Sequence, residues 1–245
     1  QPNWDSVEDF QKLGKPNLFF GVTSGNMDSM VNHYTSDRKI RHNDAYTPND
    51  EHGKRPDRAV MVYTNKCRQA FKGVPVIIGG IEASLRRIAH YDYWSDKVRG
   101  SVLADSKADL LIYGNAERAL IEVAHRTAAG ENPKEMHDIR GTAYMVNQVP
   151  SGFVVLDSTE VDQPGKIDPH INPYEMITEE SCETKKQANG DQSGQSSSEG
   201  DGVIVVNVPL HIPKNHPRDK TVIRMPSLEQ VKKDPVLYAH ASRVF

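Results

Sequence analysis

Cysteine, basic charge and long apolar runs are all scarce in this sequence. Only two cysteines, Cys67 and Cys182, occur among 245 residues, which speaks against a disulfide framework. No apolar run approaches the about 20 residues that a transmembrane helix needs, and no charged-then-apolar leader is present. A net charge of -3 gives no broad basic surface for nucleic acid. We therefore expect a cytoplasmic protein with free thiols and with neither membrane nor nucleic acid as a partner.

Familiar catalytic and nucleotide-binding motifs are missing as well. The sequence holds no Walker A loop, no G-x-G-x-x-G, no G-x-S-x-G and no C-x-x-C. His33 and His42 lack the spacing of a zinc site, so no metal ligands are expected in this chain. No single motif therefore identifies a reaction.

The first half of the chain alternates between short apolar runs and longer stretches with helical spacing. The apolar runs are residues 17–25, 74–80 and 108–115, and each ends in Gly, Ser or Asn. Because they are continuous rather than alternating, they are typical of strands buried on both faces of a parallel sheet. Residues 59–71 and 115–129 have helical periodicity. This pattern predicts an α/β fold with an open, mostly parallel, Rossmann-like sheet.

The pattern changes after residue 136, and four segments follow from composition. Residues 141–158 are interpreted as two strands joined at Pro150-Ser151-Gly152, which is a hairpin. Residues 184–202 contain one Ala and no larger apolar residue, as in a flexible insertion. The predicted segments are 1–136, a Rossmann-like domain; 137–183, a hairpin and connector; 184–202, a disordered low-complexity insertion; and 203–245, a strand and helix region.

The last segment carries further local signals. Residues 203–210 and 221–226 have the composition of strands. Ser227, with Gln230 three residues later, predicts a capping box at the start of a helix. Pro235 is expected to interrupt that helix before it resumes.

The three predicted strand ends of the first half are candidates for ligand contact. In open parallel sheets, ligands bind beyond the carboxyl ends of the strands, and all three ends share one edge of such a sheet. Glycines there allow a sharp turn or the close approach of a ligand. The candidate residues are Ser24, Asn26, Asp28, Gly79, Gly80, Glu82, Gly114 and Glu117. As an alternative, Glu82 and Glu117 each cap the first turn of their own helix.

Residues 84–99 combine charged and aromatic side chains in a way that neither a solvated nor a buried helix needs. The arginines could hold an anionic group, or they could anchor aspartates within the fold. The histidine could act as an acid or base, or it could be structural. The aromatic rings predict a surface that docks a second domain or a flat ligand. The residues concerned are Arg86, Arg87, His90, Tyr91, Asp92, Tyr93, Trp94 and Arg99.

Several stretches closely resemble the N-terminal region of the YgiQ-type radical-SAM proteins, an uncharacterised bacterial family. Within residues 1–144 these are LFFGVTSGNMDSMVNHYT, DAYTP, RPDRA, PVIIGGIEASLRRIAHYDYWSDKVR, KADLLIYGNAERAL and DIRGTAYM. A looser match covers residues 225–245. The strand ends PVIIGG and ADLLIYGNAE are also similar to those of the cobalamin-binding-type domains that precede many radical-SAM barrels.

The resemblance implies an accessory N-terminal domain that packs on a catalytic barrel of the same polypeptide. In the full-length parent, that barrel would bind a [4Fe–4S] cluster and S-adenosylmethionine and would act on an unknown substrate. The resemblance also implies that the chain lacks the first strands of the sheet and stops before the barrel. We expect this fragment to be non-catalytic alone.

The departures from the family pattern bear on cofactors. The C-x₃-C-x₂-C cluster motif and the D-x-H-x-x-G loop of corrinoid-binding domains are both absent, so neither cofactor is expected to bind this chain. One alternative is a stand-alone Rossmann-like module that binds a nucleotide or a corrinoid at its strand ends. The least favoured alternative is a hydrolase that uses Asp28, Glu82 and His90.

Overall fold

The computed structural model describes residues 2–167 and 217–245. The chain divides into two compact units. The first unit contains residues 1–153 and 226–238, and the second contains residues 154–225 and 239–245. The predicted low-complexity insertion and the predicted strand 203–210 lie outside the described residues, and the four predicted segment boundaries stay predictions.

The described secondary structure consists of short strands and mostly short helices. The strands are β1 (Phe20–Val22), β2 (Val76–Ile78), β3 (His90–Asp92), β4 (Lys97–Arg99), β5 (Leu110–Ile112), β6 (Thr142–Ala143), β7 (Val154–Asp157) and β8 (Thr221–Arg224). The helices are α1 (Glu8–Gln11), α2 (Ser29–His33), α3 (Ala59–Ala70), α4 (Gly80–Leu85), α5 (Val102–Ser106), α6 (Glu117–Ala128), α7 (Ser158–Val161), α8 (Leu228–Lys233) and α9 (Pro235–Val244). None of the helices in the described ranges has both the length and the apolar content to cross a membrane.

The first unit is built on a four-stranded sheet in the order β1-β2-β5-β6. The pairs β1–β2 and β2–β5 are parallel, and β6 is antiparallel to β5. The predicted α/β class with an open, mostly parallel sheet is confirmed. All residues of β2 and β5 are buried, as expected for strands that are covered on both faces.

The core lies on both sides of this sheet because neighbouring residues of a strand point to opposite faces. Val76, Ile78 and Leu111 pack in one apolar cluster with α3 and α5. Ile77, Leu110 and Ile112 pack in the other, which includes Val123 of α6 and also Met136 and Ile139. Helices α3 and α6 therefore cover opposite faces, and they match the predicted helices 59–71 and 115–129 within two residues at each end.

The predicted hairpin over residues 141–158 is wrong. Strand β6 pairs with β5 through Leu111–Ala143 and Ile112–Thr142, whereas β7 runs parallel to β8. The turn residues Pro150-Ser151-Gly152 indicate only that the chain bends there. They do not determine which strand each flanking segment pairs with. The other local predictions in this part of the chain are confirmed: strand β8 is present, Ser227 and Gln230 form a capping box, and the helix breaks before Pro235.

The double glycine after β2 is required by close packing and by backbone conformation. Gly80 has φ +79, and a Cβ atom there would lie 2.3 Å from Oγ1 of Thr23. A Cβ atom on Gly79 would lie 3.2 Å from the carbonyl oxygen of Ile112. The ends of β1, β2 and β5 therefore touch directly at this point, and the glycines admit neighbouring protein atoms.

We predict that Gly80→Ala lowers the free energy of unfolding by about 1–3 kcal/mol, because it adds both a left-handed backbone strain and a steric contact. Urea unfolding measures this. Gly73→Ala is the matched control, since Gly73 has φ +82 but open space around its Cβ position. A loss no larger than that of the control would contradict the role of the Thr23 contact, which a double-mutant cycle with Thr23→Ala isolates.

Candidate functional site

The carboxyl ends of the three parallel strands form one continuous edge, as the sequence predicted. The amide of Gly79 donates to the carbonyl oxygen of Val22 at 3.0 Å, which ties the end of β2 to the end of β1. The edge brings together the loop 23–28, the start of α4 and the loop 113–116. We call it the carboxyl edge below.

The loop after β1 is held mainly by internal contacts. Asp28 is buried and caps α2, where its Oδ1 accepts from the amides of Met30 at 2.9 Å and Val31 at 3.2 Å. Its other oxygen pairs with Arg86. The hydroxyl of Ser24 donates to the carbonyl oxygen of Met27 at 3.0 Å, and Asn26 is exposed. Of the three candidates in this loop, only Asn26 presents its side chain openly to solvent.

Glu82 occupies the centre of the carboxyl edge and is 1% exposed. Its two carboxylate oxygens accept from the amide of Ser29 at 2.9 Å and from the amide of Val60 at 3.1 Å. The hydroxyl of Ser29 accepts from the amide of Ala59 at 3.1 Å. Glu82 therefore caps α2 and α3 rather than its own helix, which corrects the cap that the sequence suggested. Its oxygens are used within the fold.

The loop after β5 is the open part of the carboxyl edge. Gly114 is exposed, has φ +68, and has no atom within 4 Å of its Cβ position. Glu117 is exposed in the first turn of α6, where a carboxylate complements the helix dipole. Ala116, without a side-chain hydrogen bond, occupies the N-cap position.

The two arginines after α4 contact different groups. Arg86 pairs with Asp28, and burial lowers the pKa of its guanidinium. Arg87 donates to the carbonyl oxygen of Ser84 at 2.5 Å, and its guanidinium carbon lies 4.8 Å from the centre of the Tyr113 ring. The alternative in which these arginines anchor the fold is thus realised for Arg86, with Asp28 as the partner.

A second buried carboxylate, Asp92, organises the β3–β4 hairpin. It is 3% exposed and pairs with Nη2 of Arg58 at 2.5 Å and with Nη1 of Arg99 at 3.6 Å. It also accepts from the hydroxyl of Ser95 at 2.8 Å. Burial raises the pKa of Asp92, but the hydrogen bonds from Arg58 and Ser95 outweigh it and lower the pKa to about 2. Asp92 is therefore ionised at neutral pH and ties the hairpin to the start of α3.

His90 opens the hairpin and is partly buried. Its Nδ1 lies 3.2 Å from the carbonyl oxygen of Ile88. Burial lowers the pKa of its imidazole below the ordinary value, so the ring is neutral near pH 7.

The aromatic residues of the hairpin keep a large exposed surface. Tyr91 is 45% exposed and Tyr93 is 42% exposed, although the Tyr93 hydroxyl donates to the carbonyl oxygen of Ser36 at 2.6 Å. The Trp94 ring is partly buried against Tyr93, with a centroid distance of 5.8 Å. Leu85 and Ile81 of α4 are also exposed. We call these five side chains the aromatic face.

Comparison with known proteins assigns the chain to a protein family. A family model described as Radical SAM N-terminal matches residues 1–245. The chain belongs to this Radical SAM N-terminal family. It is 56% identical to a UPF0313 protein of Vibrio vulnificus, 56% to the UPF0313 protein YgiQ of Salmonella typhimurium and 54% to a UPF0313 protein of Pseudomonas aeruginosa. All of this chain is covered in each, but only 30–32% of those relatives. No solved structure matches it.

The described residues of this Radical SAM N-terminal chain were compared with the ligands that a metal cluster requires. No group of three or more His, Cys, Asp or Glu side chains that could hold a metal occurs in residues 2–167 and 217–245. Cys67 is buried, and burial raises the pKa of its thiol to about 11, which disfavours the thiolate that metals bind. Cys182 lies outside the described residues.

Sequence reasoning missed two arginines that this Radical SAM N-terminal chain places at the carboxyl edge. Arg58 pairs with Asp92, and Arg55 is 2% exposed beside Gly25. Both lie in the RPDR stretch before α3, which was quoted only as part of the resemblance. Two arginines flanking a proline before a helix could have indicated a functional loop. Their hydrogen-bond partners, however, are 28 and 34 residues away in sequence, so the sequence alone does not reveal them.

We predict that Glu82→Gln lowers the free energy of unfolding by about 1–3 kcal/mol, because the amide nitrogen of Gln cannot accept and leaves one buried amide unpaired. Glu117→Gln is the matched control on an exposed first turn and is expected to change stability by less than about 0.5 kcal/mol. Chemical denaturation of both variants measures this. Equal effects would show that Glu82 does not carry the two helix starts.

We predict that Asp92→Asn lowers the free energy of unfolding by about 2 kcal/mol at pH 7. The reason is that the pKa of the Asp92 carboxyl group is about 4 in the unfolded chain and about 2 in the folded protein, so the ionised group stabilises the fold. Because the folded pKa is the lower one, this stability is present above pH about 4 and is lost as the pH falls through about 2.

Denaturation of the Asp92→Asn variant and of the unsubstituted protein between pH 7 and pH 2 checks this. Asp96→Asn on the same hairpin is the control, since Asp96 is exposed and Asn tolerates its φ of 53. A stability difference for Asp92→Asn that does not change with pH would be the contrary result.

Proposed function

We propose that the chain is the accessory N-terminal domain of a radical-SAM iron–sulfur enzyme, and that it packs on the catalytic barrel of the same polypeptide. In this proposal the [4Fe–4S] cluster and S-adenosylmethionine bind the barrel, and the chain is not catalytic alone. Family membership supports the enzyme class. The 30–32% coverage of its relatives supports a further domain in the parent protein. A cytoplasmic location stays a prediction.

The observation that carries the docking proposal is the contrast within residues 79–99. Three of the charged groups there, Glu82, Arg86 and Asp92, are buried or partly buried and have partners inside the first unit, whereas Asp96 and Lys97 are exposed. The apolar groups there are turned outward, with Leu85 62% and Tyr91 45% exposed. A group of exposed large apolar side chains on a polar surface is typical of a protein–protein interface. We infer that the aromatic face is the surface that the barrel covers.

The catalytic alternative has little support from the geometry. Asp28 and Glu82 would have to give up the hydrogen bonds that cap α2 and α3 before either could act as a base. The binding-module alternative is favoured by one specific observation, the buried guanidinium of Arg55.

We predict that backbone amides of residues 84–99 exchange hydrogen more slowly in the full-length protein that carries this chain than in the 245-residue chain, since a covered surface opens less often. Hydrogen exchange with mass spectrometry compares the two. Residues 117–128 of α6 are the internal control, where no change is expected. A [4Fe–4S] absorption spectrum, present after reconstitution only in the full-length protein, confirms that the barrel is loaded.

Equal exchange over residues 84–99 in the two proteins would rule out this docking surface. A stable [4Fe–4S] spectrum from the 245-residue chain would instead overturn the placement of the cluster in the barrel. The two outcomes test separate parts of the proposal.

A further inference from the structure

Arg55 is a deeply buried cation without a matching carboxylate. Its side chain is 2% exposed. Within the part of the chain that the structure describes, no carboxylate lies at ion-pairing distance from it, whereas Arg58 and Arg86 each have one. Its Nε has no hydrogen-bond partner, and its Nη1 reaches the carbonyl oxygen of Met27 only at 3.4 Å. Buried guanidinium groups are ordinarily paired because an unmatched charge is strongly disfavoured away from water.

The guanidinium lies at the carboxyl end of β1. It lies against Gly25, where an added Cβ atom would be 3.8 Å from Nη1. Gly25 is exposed and has φ +98, so the backbone next to the cation carries no side chain and reaches solvent. This loop follows a parallel strand, which is where ligands of open α/β sheets bind.

A second unused donor, Tyr63, lines a groove together with Gly25. Tyr63 of α3 is 7% exposed, and its hydroxyl is buried without a hydrogen-bond partner. Burial raises the pKa of Tyr63, which favours the neutral, donating hydroxyl. Glu82 forms no ion pair with Arg55 among the described residues, and its two oxygens accept from backbone amides.

An apolar groove is lined by Tyr63 and by Gly25, the residue against which the Arg55 guanidinium packs. It has a volume of about 590 Å³, and its lining includes Ser24, Gly25 and Tyr63 together with apolar side chains such as Phe10 and Phe20. The carboxylate on its wall, Asp9, is already paired with Lys12. The groove therefore offers room for an apolar body beside a site of positive charge.

We propose that Arg55, with the Tyr63 hydroxyl and the Ser24–Gly25 loop, binds the oxyanion of a small ligand whose apolar body lies in this groove. The oxyanion is a phosphate or a carboxylate, since a guanidinium binds both in a bidentate manner. The inference goes beyond the proposed docking function and uses none of the five side chains of the aromatic face. Its competitor is a structural role in which Arg55 only joins the Met27 carbonyl to the Tyr46 ring, 5.8 Å from its guanidinium carbon.

Thermal unfolding of the 245-residue chain with added anions separates the two roles. The probes are inorganic phosphate, phenyl phosphate and benzoate, each compared with sodium chloride at the same ionic strength. A ligand that binds the folded state raises the unfolding midpoint with concentration. We expect phenyl phosphate or benzoate to raise it more than inorganic phosphate does, and the stronger of the two identifies the anion.

We expect Arg55→Gln to weaken the apparent affinity for that probe by about tenfold or more, as for the loss of a hydrogen bond to a charged group. Arg118→Gln removes an exposed positive charge from α6 and is the matched control, with unchanged affinity. Tyr63→Phe removes one oxygen atom that has no partner, so it should keep the fold while it weakens binding.

The proposal is overturned if no probe raises the midpoint above the chloride baseline, or if the rise is the same in Arg55→Gln as in the unsubstituted chain. If Arg55→Gln does not fold, Tyr63→Phe decides, and an undiminished response in that variant overturns the proposal. Failure here leaves the docking proposal standing, because hydrogen exchange over residues 84–99 is measured independently.

Discussion

The carboxylate of Glu82 is the interaction on which the carboxyl edge depends. It is buried, and it joins three segments that are far apart in sequence: the loop after β1, the start of α3 and the start of α4. The first amides of a helix have no partner within the helix, so α2 and α3 each need an acceptor from elsewhere. A single ionised group meets both needs, since its two oxygens point to different helices.

The same logic explains why residues 79–100 carry so many charges. Asp28 pairs with Arg86, and Asp92 holds Arg58 and Arg99, so the charged groups of this segment are arranged as local anchors. Each anchor uses hydrogen bonds to charged groups, which are stronger than neutral ones. The large side chains Tyr91, Tyr93 and Leu85 are exposed, as are the charged side chains of Asp96 and Lys97. The docking proposal rests on these exposed apolar groups.

Arg55 departs from that arrangement. It is as deeply buried as Asp92, yet the described residues supply it with no carboxylate partner. It packs against Gly25, which lines a groove together with Ser24 and Tyr63. Arg58, Arg86 and Asp92 each have a charged partner, so the unmatched guanidinium of Arg55 is informative, and a ligand oxyanion would supply its partner.

The sequence by itself determined the α/β class, the presence of three strands typical of a parallel sheet and the two long helices, because these depend on local hydrophobic periodicity. It also placed the candidate residues at one edge of the sheet. Only the tertiary structure decided what those residues do. Glu82 meets its two partners across 53 and 22 residues of chain, and Asp92 meets Arg58 across 34. The pairing of β6 with β5 is likewise non-local. Hydrogen-bond and ion-pair partners of this kind depend on which segments the packed core brings together, and no short stretch of sequence contains that information.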